Sequence, residues 1–548
     1  LQSLALARGE PVTLGAQPGY IFPTLVFFYL FESSNFLARL WPALAGSLLV
    51  LVPYAFRHKL GQKAAIIVAL GLAVDPGMVA LSRLAGSPML AITFTLLAFG
   101  FLYTRQFAFG GIAAGLALLS GPAVLLGLLG LGIAYGLGHL TGFFRDEEIL
   151  PNDDPLKIPE RTSTGDWRVA SLFAGGTVLI VGTLFFLIPQ GLGAWSATLT
   201  AFLRGWGQSS NIPISRLLAA FVFYGILALV FGLVAAVRGW IQKNNISQLL
   251  SLWLVFAILL PLFYPGRQVG DIAWAIPSLW ALAGLELARY FHRQENWRVS
   301  LGQAAMVVVL MIVAWLTLAG MDVATPENLL NYWFVIGAAG LMGVLVLVLI
   351  YLGWDWPTAR TGLVWGLVIG LGAYSLANTF WVSQVRPSSP LELWVPTPTT
   401  RHAGLFAATL EDIALSQTGH ANHLEIVSLV DTPSLRWVLR NAEGTEFVAS
   451  LGEDENPMVV ITREDASVGA RQEYYRGQDF GWWESPGWGG ALPWEPINWV
   501  VSRTGVLITE KVVLWARVDL FPEEPELQEE TNADEASPLL EEGVEVIE

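Results

Sequence analysis

The sequence contains no cysteine and few charged residues. Without cysteine, disulfide bonds, thiolate catalysis and cysteine-ligated metals are all excluded. Charged residues make up 14% of the 548 positions, whereas soluble globular proteins carry roughly 25%. Hydrophobic residues make up 54%, and the mean hydropathy is +0.54. Because charge is scarce over hundreds of consecutive residues, a buried core does not explain the deficit, and the composition predicts a polytopic membrane protein.

Basic residues are absent from the C-terminal segment 521–548, which is rich in glutamate. This segment accounts for much of the net charge of −15 and is typical of a disordered acidic tail. The acidity is therefore no evidence about an active site, and it argues against nucleic acid as a partner. The sequence also lacks a P-loop and a GxGxxG motif after a strand, so nucleotide hydrolysis has no support.

Apolar runs occupy most of the first 385 residues. A spanning helix needs about 20 apolar residues, and we predict twelve spans, near 36–56, 63–82, 88–104, 107–119, 121–138, 168–188, 213–237, 248–263, 271–290, 301–320, 327–352 and 361–381. The runs at 1–9 and 20–31 are shorter, and we predict re-entrant or surface helices there. Because the chain opens at Leu1 like the interior of a longer protein, we expect an upstream helix, which would bring the total to thirteen.

The distribution of basic residues among the loops predicts the orientation. Lys and Arg gather in alternate loops, which the positive-inside rule places in the cytoplasm. We therefore expect residues 1–385 to form a transmembrane domain in a prokaryotic plasma membrane, with everything after Val385 outside. Residues 386–400 are rich in Pro, Ser and Thr and predict a linker. Residues 401–520 alternate predicted helices (400–416, 432–441) and strands (423–430, 457–462), which predicts a small extracytoplasmic α/β domain.

The stretch FYPGRQVGDIAW, residues 263–274, lies between two apolar runs and contains Arg267 and Asp271. Ionisable residues at membrane depth are costly and usually functional. An arginine there can bind a phosphate through two parallel hydrogen bonds. The alternative is that Arg267 and Asp271 pair with each other at spacing i, i+4 where a helix begins. The sequence leaves both interpretations open.

Two further stretches contain charged residues near the predicted outer face. In VDPGMVALSRLAGSP, Asp75 is either a carboxylate in a polar cavity or the N-cap of a helix that begins at Pro76. Arg83 in the same stretch is a phosphate-binding candidate. In ARGEPVTLGAQPGYIFP, Arg8 and Glu10 lie in a loop rich in Gly and Pro, and such loops often carry binding sites. For Glu10 the alternative is an ordinary solvated turn.

Tryptophans are dense in GWWESPGWGGALPWEPINW, residues 481–499. Trp482, Trp483 and Trp488 are candidates for stacking on a sugar or an acceptor, although membrane anchoring and packing within the domain are alternatives. No cluster of His, Asp and Glu has the spacing of a metal site. The sequence therefore predicts no cofactor, and a divalent metal ion is unsupported.

Several of these stretches resemble one family when taken together. The stretches LALARGEPV, PGYIFPTLVFFYLF, SSNFLARLWPALAGSLLVLVPYAFR and DPGMVALSRLAGSP resemble the first part of the integral-membrane glycosyltransferases of GT-C type. FYPGRQVGDIAWAIPSLWALAG resembles a later region of the same family. The similar members are the protein O-mannosyltransferases and the aminoarabinose transferases that act on lipid A. In order and topology the resemblance covers most of residues 1–290.

The resemblance implies a thirteen-helix GT-C-like membrane domain with an extracytoplasmic active site. It implies an inverting transfer of a sugar from a polyprenyl phosphate to a protein, glycan or lipid acceptor of the cell envelope. A carboxylate in the first outer loop would act as base, and basic residues would bind the lipid phosphate. On this basis Arg8, Arg83 and Arg267 are the phosphate-binding candidates, with Asp271 in support.

The sequence departs from the family pattern at two places. The acidic catalytic residue of the family would precede Leu1, which leaves Glu10 and Asp75 as the remaining acidic candidates for catalysis. Ser87 stands in SRLAGSP where the family pattern leads us to expect an acidic residue. The alternative function is therefore a non-catalytic membrane subunit on the same scaffold, which binds a lipid-linked sugar or accompanies a flippase.

Overall fold

The computed structural model describes residues 1–141, 164–210, 212–291, 296–321, 328–396, 398–452, 455–466, 468–487 and 495–521. The chain forms two compact units. The first contains Leu1–His402 and Gly481–Glu510, and the second contains Ala403–Phe480 and Lys511–Glu548. Residues 481–510, which the composition grouped with the C-terminal domain, thus pack in the same unit as the apolar helices. Of the predicted acidic tail, residues 521–548, all but residue 521 lie outside the described residues.

The first unit is helical. In chain order its helices are α1 (Gln2–Ala7), α2 (Pro18–Phe31), α3 (Asn35–Leu49), α4 (Val52–Ala55), α5 (Arg57–Leu60), α6 (Gln62–Val74), α7 (Pro76–Ser82), α8 (Met89–Tyr103), α9 (Phe107–Leu118), α10 (Ala123–Leu140), α11 (Thr164–Gly182), α12 (Gln190–Gly205), α13 (Ile214–Tyr224), α14 (Ile226–Ile241), α15 (Asn245–Phe263), α16 (Ala275–Leu287), α17 (Trp297–Gly320), α18 (Leu329–Gly353), α19 (Trp356–Phe380) and, after the second unit's first segment, α22 (Glu495–Ser502). A short 3-10 helix, Val269–Trp274, precedes α16.

Helices lie at all twelve of the predicted apolar runs. Seven segments are long and apolar enough to cross a membrane, and the number rises to nine if the two bent pairs, α6 with α7 and α13 with α14, each count as one span. The remaining three predicted runs coincide with α8, α9 and α11, of which α8 and α9 are shorter apolar helices. Among the described residues the structure therefore offers seven to nine candidate spans, and the number twelve stays a prediction.

The helix at the centre of the first unit is α16. Almost all of its residues are buried, and it packs against α6, α14 and α15. Glycines on the neighbouring helices permit this close approach, as expected where apolar helices pack. A methyl group on Gly71 of α6 would lie 2.2 Å from the indole of Trp280, and one on Gly127 of α10 would lie 2.2 Å from the indole of Trp274.

The Gly127–Trp274 contact leads to a test of this packing. Gly127→Ala should destabilise the protein by about 1–3 kcal/mol, because the indole of Trp274 has to move. Gly132→Ala, on the same helix, is the matched control, since a methyl group there has no atom within 4 Å. We expect the thermal midpoint in detergent to fall for the first variant only, and equal midpoints would contradict the helix contact.

The segment after the last long helix is buried, although its composition predicted a linker. Residues Leu391 to Val395 are all buried in the first unit. Arg216 of α13 donates hydrogen bonds to the carbonyl oxygens of Leu393 (3.3 Å) and Val395 (2.7 Å). The indole nitrogen of Trp499 donates to the carbonyl oxygen of Leu391 at 2.8 Å. Backbone groups without a regular partner are thus satisfied by side chains, which is what allows an irregular segment to be buried.

The second unit combines helices α20 (Ala403–Thr418) and α21 (Pro433–Val438) with a sheet. Strand β2 (His423–Ser428) pairs in parallel with both β3 (Glu443–Phe447) and β4 (Val459–Arg463), and β4 pairs antiparallel with residues 512–516 of β6 (Leu507–Arg517). The predicted helices and the strands at 423–430 and 457–462 are present. β3 and β6 were not predicted. In the first unit, β1 (Thr399–Thr400) pairs with Trp483 and Glu484 of β5 (Tyr475–Pro486).

Candidate functional site

A cavity of about 400 Å³ in the first unit lies where three of the quoted sequence stretches meet. Its described lining comprises Gln17, Gly86, Pro88, Pro122, Ala123, Leu126, Ala201, Phe202, Gly205, Gln208, Ser209, Ser210, Tyr264, Gly266, Gln268 and Asp271. The first stretch contributes Gln17 and the second Gly86 and Pro88. FYPGRQVGDIAW contributes Tyr264, Gly266, Gln268 and Asp271. Residues that are some 250 positions apart in the sequence therefore share one wall.

Asp271 is the charged residue on this wall. Its side chain is buried, with 6% of the residue exposed. Oδ2 accepts a hydrogen bond from the backbone N–H of Gln268 at 2.7 Å, and the Gln268 side chain reciprocates in a capping box that starts the 3-10 helix. Oδ1 accepts no hydrogen bond from any described residue. The backbone therefore fixes the carboxylate while one of its oxygens stays available to a ligand.

Arg267 does not pair with Asp271. Its Nε donates to the carbonyl oxygen of Ile212 and its Nη1 to that of Leu262, both at 2.9 Å. The guanidinium thus ties the loop to the end of α15. The i, i+4 ion pair considered from the sequence is absent from this part of the structure. The role of Arg267 in binding a phosphate stays a prediction, and Arg267 is not among the lining residues of the cavity.

The rest of the wall is polar but uncharged. Its lining includes Gln17, Gln208 and Gln268 together with two serines, and Ser210 Oγ is buried without a hydrogen-bond partner among the described residues. The rings of Phe202 and Tyr264 stack with centroids 5.5 Å apart. The described lining contains no Lys, Arg or His. Such a wall can bind hydroxyl groups and an apolar ring face, and it offers no countercharge to an anion.

Asp75 lies elsewhere, with both oxygens occupied. Oδ1 accepts from the backbone N–H groups of Gly77 (3.0 Å) and Met78 (3.1 Å), and Oδ2 accepts from the indole nitrogen of Trp280 at 2.9 Å. The N-cap interpretation from the sequence describes this geometry. The cap also explains the 57° bend between α6 and α7, because Pro76 has no N–H to continue the first helix.

Arg83 and Arg39 lie close enough to repel each other. Burial lowers the pKa of the Arg83 guanidinium from its ordinary value, and the positive charge of Arg39 lowers it further. Two neighbouring guanidinium groups favour a bound anion. Sequence reasoning proposed Arg83 but missed Arg39, which no local motif distinguishes. Arg8, which ends α1, and Glu10 are both exposed.

The tryptophan candidates are differently placed. Trp482 is fully buried in the first unit, so protein covers the ring that was predicted to stack on a ligand. Trp483 is partly buried and lies edge-on to Trp482, with centroids 6.5 Å apart. Trp488 lies outside the described residues. The alternative of packing within the protein describes Trp482 better than ligand binding does.

Comparison with known proteins shows one matching family model and a similarity to two solved structures. The family model for dolichyl-phosphate-mannose-protein mannosyltransferase matches residues 10–141. The crystal structure of ArnT from Cupriavidus metallidurans bound to undecaprenyl phosphate matches with a TM-score of 0.54 and 15% identity, covering 95% of this chain and 93% of that chain. The structure of the same protein in the apo state gives equal values. No curated protein matches the sequence.

The predicted GT-C resemblance is confirmed. At this identity the ArnT match shows the fold, which is of the GT-C type with a C-terminal sheet region. The segment that matches the mannosyltransferase family contributes Gln17, Gly86, Pro88, Pro122, Ala123 and Leu126 to the cavity. Part of the cavity lining therefore comes from the segment that matches the family model. Asp271 lies on the same cavity but outside the matched segment.

Proposed function

We propose that this chain is a membrane glycosyltransferase that moves a sugar from a polyprenyl-phosphate donor to an acceptor outside the cytoplasm. The cavity carries the proposal, because it joins the segment of mannosyltransferase character to the polar start of the 3-10 helix Val269–Trp274 within a GT-C fold. The solved ArnT structure was determined with undecaprenyl phosphate, which supports a lipid phosphate as the donor here. The distribution of basic residues among the loops supports an extracytoplasmic site.

The two ends of such a donor have different chemical requirements. Sugar hydroxyls suit the amides, hydroxyls and carboxylate of the cavity, and a sugar ring face suits the stacked Tyr264 and Phe202. The phosphate needs cations, which the described cavity wall lacks and which Arg39 and Arg83 supply. We therefore propose that the sugar enters the cavity and that the phosphate binds at this arginine pair.

A turnover assay tests the function. Full-length protein in detergent, supplied with polyprenyl-phosphate sugars, should release polyprenyl phosphate in a manner that depends on added membrane extract as the acceptor source. Release without dependence on extract would indicate hydrolysis instead of transfer. Saturable binding of the lipid without release would favour the non-catalytic alternative. Neither binding nor release would contradict the proposal.

The arginine pair supplies a control within the same experiment. The double variant Arg39→Ala, Arg83→Ala should weaken lipid-phosphate binding by about 10-fold or more, because hydrogen bonds to charged groups contribute about 1.5–3 kcal/mol each. Arg57→Ala is the matched control, since Arg57 is also part-exposed and stacks on Tyr54 at 4.0 Å. Equal binding by both variants would remove the arginine pair from the donor site.

A further inference from the structure

We infer that Asp271 is a catalytic residue, which accepts the proton of the acceptor hydroxyl during transfer. The inference rests on the proposed function and assigns a chemical role within the cavity. It names a carboxylate other than the one implied by the GT-C resemblance, which lies in the first outer loop of that family. The role of Asp271 thereby changes from support of a phosphate-binding arginine to direct contact with the substrate.

The first argument is the free oxygen of a buried carboxylate. Asp271 is 6% exposed and lines the cavity, and only Oδ2 accepts a hydrogen bond within the described residues. Oδ1 has no donor within the described residues, so it is available to accept a hydrogen bond. A hydroxyl group of a bound ligand would supply the missing donor. The capping box with Gln268 holds the carboxylate in place before the ligand arrives, so no reorganisation is needed.

The second argument is the lack of a competing cation. The described wall contains no Lys, Arg or His, and Arg267 donates to backbone carbonyl oxygens instead. A cation paired with a carboxylate stabilises the ionised form and makes it a weaker base. Asp271 has no such partner in the described part of the chain, so it retains its ability to accept a proton from a hydroxyl group.

The third argument is the separation of base and leaving group. In an inverting transfer the base acts on the face of the sugar opposite the departing oxygen. The phosphate-binding arginine pair, Arg39 and Arg83, is not part of the cavity lining, whereas Asp271 is. The proposed base and the proposed phosphate-binding groups are therefore separate residues, so the two roles do not compete for one side chain.

The step balances without a further reactant. The acceptor hydroxyl oxygen forms a bond to the anomeric carbon, and the bond between that carbon and the phosphate oxygen breaks. The electron pair of the broken bond leaves with the polyprenyl phosphate. The hydroxyl proton passes to Oδ1 of Asp271 and is later lost to solvent.

The decisive variant is Asp271→Asn. The asparagine side-chain oxygen can still accept from the N–H of Gln268, so the cap is retained, but the amide cannot accept the proton. General base catalysis contributes about 100-fold to 10,000-fold, so we expect kcat to fall at least 100-fold while the KM for the donor and the thermal midpoint change little. Asp355→Asn is the matched control, because Asp355 also caps a helix, accepting from the N–H of Thr358 at 2.6 Å, and lies away from the cavity.

The pH dependence is a second readout, which a purely structural role of Asp271 would not affect. In the wild type, kcat should fall towards acid pH as one carboxyl group becomes protonated, and this limb should disappear in Asp271→Asn. A wild type without such a limb, or a variant within threefold of the wild-type kcat, would overturn the role of Asp271 and leave the glycosyltransferase proposal standing. A wild type that releases no lipid phosphate from any donor would overturn both.

Discussion

Arg503→Ala should destabilise the protein by about 1.5–3 kcal/mol, because it removes the charged donor of a buried hydrogen bond. Arg503 is 7% exposed. Its Nη2 donates to Oδ1 of Asn378 at 2.7 Å, and its guanidinium lies 4.0 Å from the ring centroid of Trp499. These contacts join α22 to the end of α19, so their loss affects the segment that returns from the second unit to the helices.

The opposite charge in this network is Glu392, which is 1% exposed. Its Oε2 accepts a hydrogen bond from the hydroxyl of Tyr224, and its Oε1 has no partner in the described residues. Burial raises the pKa of the Glu392 carboxyl above its ordinary value, whereas the Tyr224 hydroxyl, Arg503 and Arg386 oppose the shift. Without Arg503, the carboxylate loses one of the two cations that stabilise it.

A double-mutant cycle measures this coupling. If the charges of Arg503 and Glu392 interact, Arg503→Ala combined with Glu392→Gln should be less destabilised than the sum of the single variants, by about 1 kcal/mol or more. Arg298→Ala is the control, because Arg298 is exposed and lies 5.6 Å from the ring centroid of Trp297, an arrangement that contributes about 0.5–1 kcal/mol. A cost for Arg503→Ala no larger than for this control would contradict the network.

Asp75→Ala should destabilise the protein by about 2–4 kcal/mol through two separate losses. The cap of α7 loses the acceptor for the N–H groups of Gly77 and Met78, which costs about 0.5–2 kcal/mol. The buried indole N–H of Trp280 loses its acceptor, and an unsatisfied buried donor costs about 1–3 kcal/mol. Because Trp280 belongs to the central helix α16, the second loss lies in the core of the first unit.

Thermal unfolding in detergent, together with specific activity, checks this expectation. Ser34→Ala removes a simpler cap, in which Ser34 accepts only from the N–H of Leu37 at 3.2 Å, and should cost about 1 kcal/mol. Folded Asp75→Ala should keep most of its specific activity at a temperature well below its midpoint. A stable Asp75→Ala protein without activity would instead place Asp75 in catalysis.

Local signals predicted the helices well. Apolar runs bounded by Gly, Pro and charged residues placed a helix at every predicted span, since a chain in an apolar environment satisfies its backbone hydrogen bonds most simply within a helix. Thr432 and Pro433 likewise marked the start of α21, where Thr432 is the N-cap and Pro433 the first helical residue. The strand β3 escaped prediction because Glu443–Phe447 contains no apolar run and is largely exposed. β6 does contain an apolar run, residues 512–515, which was not among the predicted strands.

The stretch that contains Arg267 and Asp271 does contribute to the cavity, but the two side chains do not pair with each other. The ion pair was one of the two interpretations that the sequence left open, and it required both residues to lie in one helix, where residues four apart share a face. The 3-10 helix is Val269–Trp274 with Gln268 as its N-cap, so Asp271 lies in the helix and Arg267 lies before it. Asp271 accepts from the backbone N–H of Gln268, and Arg267 donates to the carbonyl oxygens of Ile212 and Leu262.

The sequence by itself determined the membrane class of this protein, the positions of its apolar helices and the GT-C resemblance, because composition, run length and local motifs are properties of neighbouring residues. The tertiary structure decided which polar groups meet. It placed Gln17, Pro88 and Asp271 on one cavity wall. It gave both carboxylate oxygens of Asp75 hydrogen-bond donors. It also buried Glu392 beside Tyr224 in a segment whose composition predicted a linker. Side-chain partners of this kind depend on helix packing over hundreds of residues, and no local pattern records them.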